Sequence, residues 1–155
     1  MNEKVRIAIA ALALSAAGLV GIVGYEGYTD RAVIPIPGDV PTIGFGTTDG
    51  VKLGDRTTPP VALERALRDV TQFEGALRQC VTAPLLQREY DAFVSLAYNI
   101  GARNFCGSTL VRKLNALDYA GACAEISRWT RAGGRVVQGL VNRRARERAT
   151  CEGAG

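Results

Sequence analysis

Histidine is absent from this sequence of 155 residues, and its absence limits the chemistry that the chain can perform. Catalytic Ser-His and Cys-His pairs of the usual kind are excluded, and a zinc site is disfavoured. The cysteines stand too far apart for a CxxC redox or zinc motif. We therefore expect no metal and no cofactor, and carboxylate chemistry is the main catalytic route left open. The four cysteines are Cys80, Cys106, Cys123 and Cys151.

Apart from its N-terminus, the sequence has the composition of an ordinary globular protein. Apolar residues make up 47% and charged residues 22% of the chain. This length suffices for one domain with a real core. The formal net charge is +4, which suits an anionic partner such as a cell wall, a membrane surface or nucleic acid.

The N-terminal segment, residues 1–25, departs from this composition. After Lys4 and Arg6 the run 7–25 carries no charge, and as a helix it would reach roughly 28 Å, close to the thickness of a bilayer's hydrocarbon core. Because it is rich in alanine and glycine, we expect its insertion free energy to be marginal. It could be a cleaved secretory signal, a permanent anchor, or an anchor that later leaves the membrane. Cleavage would remove the helix that we expect to carry Glu26.

Glu26 stands at the end of this apolar run, which is an unusual place for a charge. A carboxyl group beside apolar surface suits a general acid. The residues that follow are rich in glycine, proline and β-branched side chains, and they carry Asp30, Asp39 and Thr42. We expect Asp39 and Thr42 to lie side by side at the mouth of a hairpin, with Glu26 supplied by the helix. Asp30 is the fallback for the second carboxylate.

The rest of the pattern predicts an α+β protein that is mainly helical. Asp49-Gly50 is a strong hairpin signal, so we expect residues 40–45 to pair with residues 51–53 in a small sheet. Thr58 and the two prolines after it predict a helix that ends near Cys80. Gly101 is expected to end the next helix, and Gly133-Gly134 to form a loop. Further helices are predicted over 85–100, 108–117, 118–129 and 139–150.

The Thr-Ile-Gly-Phe-Gly run at 42–46, with Glu26 before it, resembles the active-site motif of the phage-type lysozymes of glycoside hydrolase family 24. Four more blocks in the same order are similar to that family, so the resemblance covers nearly the whole chain. It implies a lysozyme-like fold with a small β-hairpin lobe and a helical lobe, with residues 26–155 as the catalytic domain. The four blocks are 91–101, 108–110, 128–129 and 139–147.

The resemblance implies a phage endolysin, a muramidase that hydrolyses the β-1,4 bond between N-acetylmuramic acid and N-acetylglucosamine in peptidoglycan for host lysis. Glu26 would protonate the leaving oxygen, and Asp39 with Thr42 would activate water on the opposite face, with inversion. The family commonly has its Asp nine residues after the Glu, where this chain has Pro35. A lytic transglycosylase that uses one Glu, or an inactive wall-binding module, are the alternatives.

The resemblance also implies supporting residues outside the acid and base. Gly44, Phe45 and Gly46 belong to the motif, and Arg143 is expected to pair with Glu26 and position it. The other arginines of the last helix are expected to face the wall, and Glu147 to lie near the start of that arginine cluster. A nucleic-acid helix is disfavoured because no aromatic residues are interleaved with the arginines. The other three arginines are Arg144, Arg146 and Arg148.

The N-terminal run is similar to the signal-anchor-release segment found on some lysozymes of this family. That likeness implies export by the host Sec machinery, tethering to the inner membrane through residues 7–25, and release into the periplasm, where the segment packs as the first helix. In an exported protein four cysteines imply two disulfides, and spacing alone permits three connectivities. The family's helix arrangement implies Cys80–Cys106 and Cys123–Cys151. We expect a monomer.

Overall fold

The computed structural model describes residues 5–154, so Lys4, one of the two basic residues before the apolar run, lies outside the described residues. The chain forms two compact units. The helical unit comprises the residues up to Gly18 and those from Phe73 onward, and the hairpin unit is Leu19–Gln72. The chain passes from one unit to the other within its first two α-helices.

Helices make up most of the described chain, which confirms the mainly helical α+β fold class. Single 3-10 turns lie at Ile9–Ala11 and Ile126–Arg128. The helix predicted from the proline pair to Cys80 is confirmed, and the helices predicted over 85–100, 108–117, 118–129 and 139–150 lie within a few residues of those limits. The short helix Ala102–Cys106 was not predicted. The α-helices are α1 (Ala16–Glu26), α2 (Pro59–Cys80), α3 (Gln87–Ile100), α4 (Ala102–Cys106), α5 (Thr109–Asn115), α6 (Tyr119–Glu125) and α7 (Gln138–Glu152).

Local polar side chains and glycines set several of these helix ends. The Ser108 hydroxyl accepts a hydrogen bond from the Val111 N–H at the start of α5, at 3.3 Å. Asp118 caps α6 in the same way by accepting from the Gly121 N–H at 2.9 Å, as short polar side chains do at N-caps. Gly101 ends α3 with a φ of 89°, as predicted.

The first hairpin pairs β1 (Thr29–Val33) with β2 (Thr42–Gly44), so the pairing predicted for residues 40–45 with residues 51–53 is wrong. The strands are antiparallel, with Thr29 opposite Gly44. The chain reverses directly after β2, upstream of the Asp49-Gly50 turn, because residues 43 and 47 already close a tight turn. Residue 56 then bridges to residue 31 on the other edge of β1.

A second, shorter hairpin lies in the helical unit. The loop predicted at Gly133-Gly134 is its turn, and both glycines have positive φ values of 56° and 77°. It joins β3 (Arg131–Ala132) to β4 (Arg135–Val136) as an antiparallel pair.

Helix α3 lies at the centre of the helical unit, as its dense apolar sequence predicts. Tyr90, Phe93 and Leu96 are fully buried, and α3 packs against both α4 and α7. The Phe93 ring also contacts that of Phe105 in α4, with 6.3 Å between the ring centroids.

The N-terminal segment is not the single helix that the run 7–25 predicts. After the 3-10 turn the chain is extended at Leu12, and α1 begins only at Ala16. Ser15 sets this start because its hydroxyl accepts a hydrogen bond from the Gly18 N–H at 3.0 Å. Within residues 5–154, none of the helices combines the length and the apolar character needed to cross a bilayer.

All four cysteines are paired, and the connectivity implied by the family resemblance is confirmed. Cys80 at the end of α2 is bonded to Cys106 in α4, with 5.6 Å between their Cα atoms. Cys123 in α6 is bonded to Cys151 in α7, with a Cα separation of 5.7 Å. Each bond therefore joins two helices distant in sequence within the helical unit.

Buried charged side chains of α7 form hydrogen bonds with polar side chains of α3. Glu147 is 3% exposed and forms ion pairs with Arg143 and Arg144 on its own helix. It also accepts a hydrogen bond from the Ser95 hydroxyl of α3 at 2.6 Å, while Arg144 donates to the Asn99 side chain. A carboxylate buried among these partners is compensated only while all of them are present.

We expect Glu147→Gln to lower the free energy of unfolding by about 3–5 kcal/mol, because it removes the buried counter-charge of Arg144, which is 1% exposed. The matched control is Glu152→Gln on the same helix, since Glu152 forms an ion pair with Arg148 that is exposed and worth about 0–1 kcal/mol. Urea unfolding followed by circular dichroism, with the disulfides intact, measures both. Equal losses for the two variants would contradict the assignment.

Candidate active site

Glu26 is the last residue of α1. Gly27 adopts a left-handed backbone with a φ of 68°, which glycine accepts without steric cost, and the chain then enters β1. Glu26 is half-buried. The helix end and the strand start therefore fix where this carboxyl group is presented.

The motif turn, residues 43–47, meets the Glu26 carboxyl group. Gly46 has a φ of +87°, and a Cβ added to it would lie 3.0 Å from Oε2 of Glu26. Gly44 has a φ of +65°, and its Cβ would lie 2.8 Å from the Cβ of Ala62 on α2. Both positions therefore require glycine: position 46 because the Glu26 carboxyl group lies so close, and position 44 because α2 does. The structure thus brings together Glu26 and the last residue of the Thr-Ile-Gly-Phe-Gly run.

Phe45 lies between these two glycines, and its ring contacts that of Tyr28. The ring centroids are 5.3 Å apart and the planes are inclined by 48°, within the range of favourable aromatic pairs. Tyr28 comes two residues after Glu26, so this pair joins the motif turn to the segment that leaves α1.

Thr42 and Asp39 lie on the strand and the loop that lead into the turn. Thr42 is half-buried, and its hydroxyl donates a hydrogen bond to the Val40 carbonyl at 3.2 Å. Asp39 is exposed, and its Oδ1 accepts from the Val40 N–H at 2.8 Å. Its own N–H donates to the Ile36 carbonyl at 3.0 Å. A local turn therefore orients the Asp39 carboxylate.

Asp30, the fallback for the second carboxylate, is not part of the helix that carries Glu26, because α1 ends at Glu26 and Gly27 adopts a left-handed backbone. Asp30 instead lies in β1, where it is exposed, and its carbonyl accepts from the Thr57 N–H at 3.0 Å. Pro35, at the family's usual Asp position, lies in the loop between β1 and β2.

Arg143 is buried in the helical unit. It donates to Glu147 at 3.0 Å and to the Ser95 carbonyl at 3.3 Å, so the expected proximity of Glu147 to the arginine cluster is confirmed. Its pairing with Glu26 stays a prediction. Arg144 is 1% exposed, and the expectation that it faces the wall is wrong because it forms part of the buried ion cluster.

Sequence reasoning missed Thr47 and Asp69. The Thr47 hydroxyl donates to Oδ2 of Asp69 at 2.8 Å, and Thr47 is 2% exposed. A signal was present, since Asp69 lies at helical spacing from Ala62 and Ala66, on the buried stripe of α2. A charged residue within a buried stripe calls for a specific partner.

The surroundings of the two candidate carboxyl groups differ. Glu26 is half-buried against the motif turn, whereas Asp39 is exposed on the loop before β2. Glycoside hydrolysis uses a pair of carboxyl groups, so Glu26 and Asp39 are the candidates for that pair.

The chain is similar to known endolysins in sequence and in fold. An endolysin of Acyrthosiphon pisum secondary endosymbiont phage 1 is 40% identical over 117 residues, which span 73% of this chain and 80% of that protein. A SAR-endolysin of Pseudomonas phage phiKMV is 36% identical over 156 residues, which span 97% and 92%. The solved endolysin from Escherichia coli O157:H7 phage FAHEc1 superposes with a TM-score of 0.84 at 33% identity, over 94% and 96% of the two chains.

The model of the phage lysozyme family matches residues 23–147. This range begins before Glu26 and includes the motif turn, the buried ion cluster of α7 and both hairpins. The chain belongs to the phage lysozyme family and is a glycosidase of the lysozyme type.

Proposed function

We propose that this protein is a phage endolysin that hydrolyses the β-1,4 bond between N-acetylmuramic acid and N-acetylglucosamine in peptidoglycan, and that its role is lysis of the host. Family membership supports a muramidase-type activity. The net charge of +4 favours association with an anionic wall.

The observation that carries this proposal is the position of the Glu26 carboxyl group against Gly46. A general acid must be held at a defined position relative to the oxygen that it protonates. Glu26 is held on one side by its place at the end of α1. On the other side its carboxyl group meets the motif turn at Gly46, which has no side chain. In our proposal it protonates the leaving glycosidic oxygen.

Asp39 is the proposed base, with Thr42 as its partner in holding water. Inverting glycosidases need room for a water molecule between acid and base, with the two carboxyl groups about 6.5–9.5 Å apart. Asp39 precedes Thr42 by three residues, and its carboxylate is exposed and oriented by a turn.

We expect Glu26→Gln to abolish wall cleavage while the protein still folds, because the amide cannot donate the proton. We expect Asp39→Asn to lower turnover by about 10²- to 10⁴-fold, the usual contribution of a general base. Loss of turbidity of purified wall measures both, with circular dichroism to confirm folding.

The matched controls keep the same chemical change away from the site. They are Glu64→Gln on α2 and Asp49→Asn in the Asp49-Gly50 turn, both at exposed positions. Both controls should retain wild-type turnover. Near-normal turnover of Asp39→Asn would remove Asp39 as the base and make Asp30→Asn the next variant to measure.

We further propose that residues 7–25 tether the protein to the inner membrane after Sec-dependent export, and that release into the periplasm activates it. The phiKMV relative, which this chain matches over nearly its full length, is named a SAR-endolysin. In this proposal residues 1–25 are the segment that exchanges between membrane and protein, and residues 26–155 are the catalytic domain.

The described start of this segment is bound by backbone and side-chain groups from the rest of the helical unit. Ile7 forms a pair of backbone hydrogen bonds with Leu85, each 2.9 Å long. Arg6 forms a two-point contact with Glu89, at 3.1 and 2.7 Å, and lies 3.5 Å from the centroid of the Tyr119 ring. These contacts hold the chain where the apolar run begins.

Two carboxylates bind the backbone directly before α1. The Leu14 N–H donates to Oε1 of Glu74 at 2.6 Å. The Ser15 N–H donates to Oδ1 of Asp91 at 3.0 Å, and the Ser15 hydroxyl donates to Oδ2. Tyr90 also donates to Glu74, at 2.9 Å; its burial first and this bond second raise the pKa of the Tyr90 hydroxyl, which stays protonated.

These bonds compete with those of a membrane helix. In a helix over 7–25 the N–H groups of Leu14 and Ser15 would bond carbonyls four residues earlier, since a bilayer offers no other partner. In the released state Glu74 and Asp91 replace those carbonyls. Hydrogen bonds to charged groups are worth about 1.5–3 kcal/mol each, enough to bias a segment whose insertion is marginal.

Gly18 lets the Asp91 carboxylate approach α1. A Cβ on Gly18 would lie 3.0 Å from Cγ and 3.1 Å from Oδ1 of Asp91, and 2.7 Å from Cδ1 at the end of the Leu14 side chain. Gly21, in the same helix, is different, because a Cβ there meets no described heavy atom within 4 Å outside its own helix. Gly18 therefore has two effects in our proposal. It lowers the hydropathy of the segment, and it makes room for the Asp91 contact of the released state.

We expect Gly18→Ala and Asp91→Ala to retain more protein at the membrane after the membrane potential is dissipated. Gly21→Ala is the matched control, because it changes the hydropathy of the segment by the same amount without touching Asp91. Asp91→Ala should lower the ratio of released to bound protein by about tenfold, the shift given by 1.4 kcal/mol. Cell fractionation before and after dissipation measures that ratio.

Equal release of Gly18→Ala and Gly21→Ala would contradict the role of the Asp91 contact. Wild-type protein that is wholly soluble and already active while the inner membrane is energised would contradict the tethered state itself.

A further inference from the structure

The motif turn is closed by its own backbone and faces the proposed acid. Ile43 and Thr47 exchange two hydrogen bonds, of 2.9 and 3.0 Å. Gly46, which directly precedes Thr47, lies against Oε2 of Glu26. Any shift of Thr47 is transmitted to Gly46, because one planar peptide bond joins them.

The turn is attached to α2 at two places. Near its start, Gly44 is in close contact with Ala62, which is 1% exposed. At its end, the Thr47 hydroxyl donates to Asp69 at 2.8 Å. The first attachment is a steric contact that limits how closely the turn approaches α2. The second is directional, since a hydrogen bond to a carboxylate fixes both distance and angle.

Thr47 is 2% exposed, and Ile43 at the other end of the turn is fully buried. A buried hydroxyl needs a hydrogen-bond partner, and Asp69 supplies it as a carboxylate. An apolar residue at 47 would fill the same space without the directional bond. Stability alone therefore does not require a charged acceptor at this place in the turn.

We propose that Asp69 is a positioning residue of the active site. Through Thr47 it holds Gly46 at the distance from which the turn supports the Glu26 carboxyl group. The proposal rests on the proposed role of Glu26 as the acid. Small displacements of a catalytic group lower turnover strongly, since a shift of about 1 Å can cost 10²-fold.

The test compares Thr47→Val with Thr47→Ser. Valine keeps the volume of threonine and removes the hydroxyl, whereas serine keeps the hydroxyl and removes the methyl group. We expect Thr47→Val to lower kcat about tenfold with KM unchanged within twofold, on soluble uncrosslinked glycan strands, and Thr47→Ser to restore kcat. Asp69→Ala should match Thr47→Val, and the double variant should be no slower than either single one.

The measurements are made well below the unfolding temperature of each variant, so that a loss of stability alone leaves kcat unchanged. Thr71→Val is the control, because its hydroxyl also donates a hydrogen bond on α2, to the Leu67 carbonyl at 2.9 Å, but at an exposed position. It should retain wild-type kcat.

A wild-type kcat for Thr47→Val would overturn the proposal, as would a Thr47→Ser variant as slow as Thr47→Val. Neither result would affect the role of Glu26, which the Glu26→Gln variant tests separately. An active Glu26→Gln variant would instead remove the proposed function, whatever the Thr47 variants show.

Discussion

The contact between the Glu26 carboxyl group and Gly46 is the constraint on which the rest of the site depends. It requires α1 to end at Glu26, which Gly27 brings about, and it requires a turn residue without a Cβ on the opposite side. It also requires β2 to stop at Gly44, so that the chain can reverse within five residues. The two glycines of the motif are explained by close contacts, of Gly46 with Glu26 and of Gly44 with Ala62.

The helix that carries Glu26 belongs to the segment for which we propose a membrane-bound state. The alanine- and glycine-rich composition of that segment is consistent with both states. In the structure the backbone directly before Ala16 is not helical, and its N–H groups donate hydrogen bonds to carboxylates of α2 and α3. Release and assembly of the acid are therefore coupled in our proposal, since the segment that leaves the bilayer is the one that orders Glu26.

Much of the fold could be predicted because its signals are local. The proline pair starts α2, Gly101 ends α3, and the dense apolar residues of α3 mark the core. The disulfide connectivity came from the family resemblance, since spacing leaves three possibilities. Glu26 and the motif glycines were found for the same reason, as residues of a recognisable run.

The errors arose where distant residues override local preference. Asp49-Gly50 is a turn, but the partner of β2 lies upstream of it, in β1. The N-terminal run is helical by composition, yet Glu74 and Asp91 compete for its backbone from more than fifty residues away. The partnership of Thr47 with Asp69 likewise joins two elements, so neither residue alone reveals it.

The central claim, that Glu26 acts with a second carboxylate in hydrolysis, is tested most directly by the chemistry of the products. Purified protein would digest peptidoglycan, and the fragments would be treated with borohydride and identified by mass spectrometry. The account predicts fragments that end in N-acetylmuramic acid with a reducible end, because water attacks the sugar. Fragments that end in 1,6-anhydro-N-acetylmuramic acid, lighter by one water and resistant to borohydride, would contradict it.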